Sequence, residues 1–203
     1  MTTLFALFSC SLFFMALFFA VFQVKRWSRY WPLAYVAVAI LLVLPLDHWL
    51  LIEFVRGYTS DLSMATVVIC AVYLWGVVRP QSKGVQLSLK WFVVLVSLVM
   101  LPMSLGLTQF DPFTLGYASN RFYVYFLLAL ALISLLAWFK GQSQLALVIA
   151  LAILANGLNV YESQNLWVYL MDPIAFIMCG ISLITQGLVV LKNRIKLKGA
   201  VNV

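Results

Sequence analysis

Charge is what this 203-residue chain has least of: only 9% of its residues are Asp, Glu, Lys or Arg, against 65% hydrophobic. A soluble domain usually carries about 25% charged residues, so the composition argues for a chain read against lipid rather than water. Histidine occurs once, as His48, and cysteine three times, as Cys10, Cys70 and Cys179. Each cysteine sits inside an apolar run and the number is odd, which argues against a disulfide framework and a cysteine metal site. These thiols read as small apolar packing residues. No phosphate loop, nucleotide fingerprint, nucleophile elbow or zinc-protease word occurs. The sequence therefore implies no cofactor, no metal and no nucleic acid partner.

What is present is a series of long apolar runs. A membrane span needs roughly 20 apolar residues, and at the least about 17. Seven segments answer to that: 3–24, 32–50, 61–78, 91–108, 122–139, 145–160 and 174–191. The first lacks a basic leader and an A-x-A site and is followed by Lys25, Arg26 and Arg29, so it reads as a retained helix rather than a signal peptide. The last opens on Asp172-Pro173, a helix cap followed by proline at the first helical position.

Charge sorts by loop. Segments 25–31, 79–90, 140–144 and 192–203 hold eleven of the thirteen basic residues and no acid. The alternate segments hold all six acids, Asp47, Glu53, Asp61, Asp111, Glu162 and Asp172, with only Arg56 and Arg121 beside them. The positive-inside rule then predicts an all-α, polytopic membrane protein of seven helices, N-terminus outside and C-terminus cytoplasmic. One leading helix precedes three helical hairpins in a single domain, 1–203. The hairpins, 32–90, 91–144 and 145–191, share a plan, and two share words: Leu44-Pro45 matches Leu101-Pro102, and GYTSD at 57–61 matches GYASN at 116–120. Duplication and common turn physics both account for these matches.

The densest polar stretch is LPLDHWLLIEFVRGYTSDLS, 44–63. Asp47 is expected to cap a short amphipathic helix over 47–56, with Leu50, Leu51, Phe54 and Val55 on one face and His48, Trp49, Ile52, Glu53 and Arg56 on the other. Gly57 ends it, and Ser60 or Asp61 caps the next helix. Asp47, His48 and Arg56 are the only residues that suggest catalysis, although a cap and an interfacial histidine explain the first two as well. Candidate binding residues are Glu53, Arg56, Asp61, Asp111, Arg121, Asn156, Asn159, Glu162 and Asp172. Arg56 and Arg121 suit an anion or pair with nearby acids. Asn156, Asn159, Ser63, Thr66, Ser182 and Gln186 trace either a polar path or close helix packing. The basic tail KNRIKLKG suits anionic lipid.

Three functions follow from this reading. The first is a non-enzymatic accessory or partner-binding subunit of the bacterial inner membrane. It would contact membrane lipids and another membrane protein through an acidic, aromatic outer face. The second is a small-solute or lipid transporter. The third is an outer-face enzyme acting on a lipid-linked substrate.

Overall fold

A computed structural model describes residues 2–23, 30–46, 49–107, 109 and 111–201. Among them the regular structure is helical apart from one minimal hairpin and an isolated bridge between Tyr117 and Asn165. The helices are α1 (Thr2–Val21), α2 (Trp31–Val43), α3 (Leu51–Thr59), α4 (Met64–Val78), α5 (Leu87–Ser104), α6 (Tyr123–Phe139), α7 (Ser143–Gly157), α8 (Leu166–Leu170) and α9 (Pro173–Val201). Strands β1 (Pro45–Leu46) and β2 (Trp49–Leu50) pair antiparallel, Pro45 opposite Leu50, and a 3₁₀ turn covers Pro112–Gly116.

The expected seven-span arrangement is not what forms. Among the described residues, two helical stretches are long and apolar enough to cross a membrane by length and composition, Leu4–Val21 and Pro173–Arg194. The other apolar stretches, Trp31–Val43, Met64–Val78, Leu87–Met103, Tyr123–Phe139 and Ser143–Gly157, run 10–17 residues. The physical reason lies at their ends. A 15-residue helix such as α4 rises about 22 Å, short of the ~30 Å of a hydrocarbon core. Counting apolar residues included strand, turn and cap residues that do not continue the helix. The second expected span, 32–50, stops at Val43 and passes into β1 and β2. The sixth stops at Gly157, after which Asn159 takes a left-handed backbone (φ 49°). The inner-membrane location, the inside–outside assignment and the membrane-lipid partners rested on the count of seven and fall with it.

The apolar residues instead build two packed clusters. In the first, α4 (Met64, Ala65, Val68, Ile69), α5 (Leu89, Val93), α7 (Val148, Ile149, Ala152), α8 (Leu166, Leu170) and α9 (Ala175, Cys179) meet. In the second, α1 (Cys10, Met15, Ala16, Phe19) and α2 (Ala34, Val38, Leu42) close against Leu62 and the far side of α4 (Cys70, Leu74, Val77). The buried positions of α2 recur every four residues, one stripe of a helix. Those of α4 run almost all round it, which makes α4 the helix shared by both clusters. All three cysteines are free and buried.

Helix starts are tied by polar side chains. Ser63, not Ser60 or Asp61, caps α4, accepting from Thr66 N at 3.3 Å. Gln86 and Gln144 form a reciprocal clamp across 58 positions. Gln86 N donates to Gln144 Oε1 at 2.7 Å, and Gln144 N donates to Gln86 Oε1 at 3.0 Å. Each glutamine thus satisfies a backbone donor that the first turn of the other helix leaves open. The words GYTSD and GYASN take different structures: Gly57 lies inside α3, whereas Gly116 ends the 3₁₀ turn.

Candidate functional site

The described polar residues gather where α3 turns into α4 and α8 into α9. Asp172 is the knot. Its Oδ1 accepts from Ala175 N at 2.6 Å, capping α9, and its Oδ2 accepts from Ser63 N at 2.7 Å, at the start of α4. The Thr66 hydroxyl donates to the same carboxylate, 2.7 Å from Oδ1 and 2.9 Å from Oδ2. One negative charge therefore sits at two helix N-termini, where backbone donors and the helix dipoles both favour it.

Asp61 stands in the turn before α4. Its Oδ1 accepts from Arg56 Nε at 3.3 Å and Nη2 at 3.2 Å. Glu162 Oε1 lies 4.0 Å from the same Nη2, with its side chain 79% exposed. No described residue donates to Asp61 Oδ2. Beneath lies an aromatic layer. Tyr161 and Tyr169 stack at 5.0 Å, Tyr161 OH donates to Leu62 O, and Tyr169 OH donates to Ser163 O at 2.9 Å. Burial pushes both tyrosine hydroxyls above their ordinary range; the nearby Ser9 hydroxyl at Tyr161 and the Tyr161 N–H donated to Tyr169 OH oppose this only in part.

Asp61 and Asp172 both line a cavity of about 350 Å³. Its walls are mainly apolar, with Met100, Phe113, Trp167, Met171 and Phe176 among them, and Thr59, Ser60 and Ser97 add hydroxyls. The Trp167 indole N–H is engaged within the protein, donating to Pro112 O at 2.9 Å. Asn165 holds this wall together: its Nδ2 donates to Phe113 O at 3.0 Å, and its Oδ1 accepts from Trp167 N at 3.0 Å. The fit leaves no room at Gly116, where an added Cβ would stand 1.9 Å from Asn165 Oδ1.

The other expected site residues are dispersed. Asp47 and His48 lie outside the described residues, so of the expected catalytic trio only Arg56 is placed. Glu53 Oε2 accepts from Leu50 N at 2.9 Å and fixes the start of α3. Asp111 caps the 3₁₀ turn through Phe113 N at 2.9 Å. Arg121 lies over the Phe122 ring at 4.7 Å. Asn156 Oδ1 accepts from Tyr123 OH at 2.8 Å, while Asn159 is exposed at the end of α7.

These placements correct all three expected functions. The acidic outer face is taken up by folding, since Glu53, Asp111 and Asp172 satisfy backbone donors and Asp61 holds Arg56. The polar path is not continuous: Ser63 and Thr66 serve Asp172, Asn156 serves Tyr123, and Asn159 and Gln186 are exposed. The outer-face enzyme loses its outer face with the seven spans. Among the described residues no three His, Cys, Asp or Glu side chains are grouped to hold a metal ion. Sequence reasoning missed Tyr161, Asn165, Trp167 and Tyr169. The word YESQNLWVYLMDP carries them all, but its spacing does not show that they form a hydrogen-bonded floor. Compared with protein-family models, curated proteins and solved structures, the chain matches none.

Proposed function

We propose that this chain binds a small molecule with an apolar or aromatic body and a cationic amine head, in the cavity between α5, α8, α9 and the turn before α4. The observation that carries this is Asp61, a carboxylate at a mainly apolar cavity with one oxygen held by Arg56 and the other without a donor among the described residues. Three features support it. The volume, about 350 Å³, falls within the usual range of small-molecule sites. The lining combines aromatic and thioether side chains with few polar groups, the usual composition of such sites. The charges favour a cation: Asp61 and Asp172 both line the cavity, whereas Arg56, paired with Asp61 and near Glu162, is not among the lining residues.

Calorimetry on the full chain tests it with three probes of one shape: 2-phenylethylamine, 2-phenylethanol and 3-phenylpropanoate. A charge-assisted hydrogen bond to Asp61 is worth roughly 1.5–3 kcal/mol, so the amine should bind about tenfold or more tighter than the alcohol. The carboxylate should bind weakest. Asp61→Asn should remove the preference while leaving alcohol binding in place. Equal binding of amine and alcohol, or an amine preference that survives Asp61→Asn, refutes the proposal.

A further inference from the structure

A second, smaller cavity of about 180 Å³ lies between α4, α5 and α9, lined by Ile69, Tyr73, Val85, Lys90, Met178, Cys179 and Ser182. Lys90 is only 5% exposed, although lysine is almost never buried without a partner. No described carboxylate lines this cavity, and no described residue accepts a hydrogen bond from the Lys90 side chain. Tyr73 and Ser182 likewise keep their hydroxyls free of described partners. The lining thus combines a lysine, a tyrosine, a serine and a cysteine with no described carboxylate. The Lys90 stem is buried while its nitrogen keeps some contact with solvent, a partly desolvated cation with no described counter-charge, which an anion would complement.

We propose that this cavity is a binding site for a short-chain carboxylate, with Lys90 as the cationic partner and the hydroxyls of Tyr73 and Ser182 as further donors. Three observations choose a carboxylate over a bare ion. The donors occupy part of the lining, and Ile69, Val85 and Met178 offer an apolar wall for a short alkyl tail. At about 30 Å³ for each water-sized group, 180 Å³ takes about six heavy atoms, the size of butanoate. The site is built rather than incidental: Lys90 is held in the first turns of α5, whose start is clamped by Gln86 and Gln144. Burial pushes the Lys90 amine below its ordinary value and Cys179 acts against this, so an arriving anion would favour the charged form.

The test uses the full chain and sodium butanoate, with butanamide as the neutral isostere and chloride as the simple anion. Calorimetry should show butanoate bound at least about tenfold tighter than butanamide, as a charge-assisted contact requires. Chloride should not displace it, and Lys90→Met should abolish the preference. Reductive methylation with formaldehyde and sodium cyanoborohydride, read by mass spectrometry, gives a second reading on the unmutated chain: butanoate should slow modification of Lys90 relative to Lys83 several-fold, and butanamide should not. Equal binding of butanoate and butanamide overturns the proposal. So does displacement by chloride, unchanged labelling of Lys90, or a preference that survives Lys90→Met. Competition by 2-phenylethylamine would place butanoate in the larger cavity and overturn it too.

Discussion

Replacing Asp172 with asparagine probes the most connected polar contact of the fold. The carboxylate receives Ser63 N, Ala175 N and the Thr66 hydroxyl, so it joins the starts of α4 and α9 across 109 positions. Asparagine keeps one acceptor oxygen and turns the other into an NH₂ donor. That donor must then face Ser63 N or Ala175 N, each of which needs an acceptor. Losing a charge-assisted bond and leaving a donor unmet costs about 1.5–3 kcal/mol. Removing the charge from two helix N-termini adds about 0.3–1 kcal/mol for each. The sum is roughly 2–5 kcal/mol. At about 2–4 °C for each kcal/mol in a chain of this size, Tm should fall by ~4–20 °C. Denaturation of Asp172→Asn against wild type measures the loss, and hydrogen exchange locates it at the amides of Ser63 and Ala175. A double-mutant cycle with Thr66→Val should return a coupling of about 0.5–3 kcal/mol. A loss below ~1 kcal/mol, or unchanged exchange at both amides, would refute the idea that this carboxylate ties the two helices.

Gly116→Ala should destabilise by about 2 kcal/mol or more, because the new methyl would meet Asn165 Oδ1 at 1.9 Å and Trp167 at 2.7 Å; a melting curve matching wild type would contradict that fit. Tyr161→Phe should cost about 1 kcal/mol by leaving Leu62 O without its donor, with urea denaturation as the measure. The raised hydroxyls of Tyr161 and Tyr169 set the sign of an alkaline effect. Folding holds both protonated, so their contribution is complete below the ordinary tyrosine value near 10 and is lost as pH climbs above it. Tyrosinate absorbance should therefore show these two titrating late, and stability should decline from about pH 10 upward. In Tyr161→Phe that decline should be shallower.

Several local features were legible residue by residue. Asp172-Pro173 announces the start of α9, and the structure begins that helix at Pro173 with Asp172 on Ala175 N. The apolar runs announce helices, and helices form. Glu53 and Arg56 were recognisable as polar markers of a short amphipathic helix, which forms over Leu51–Thr59, later than expected. The larger site was half visible: Asp61 and Asp172 stood among the candidates, but no spacing in the chain joins them to Phe113, Trp167 and Phe176. Lys90 was read as one more basic residue in a loop. Only the packing of α4, α5 and α9 buries it.

The sequence by itself determined the helical class and several helix starts, because caps, proline positions and apolar periodicity act within a few residues of where they are written. Tertiary structure decided which apolar stretches stop short of a bilayer crossing, which acids close helix ends, and which side chains line a common cavity. Those outcomes depend on contacts between residues that are far apart in the chain, such as Ser63 with Asp172 and Gln86 with Gln144. A backbone donor left open at a helix start takes whichever acceptor the fold brings near, and linear order does not name that acceptor.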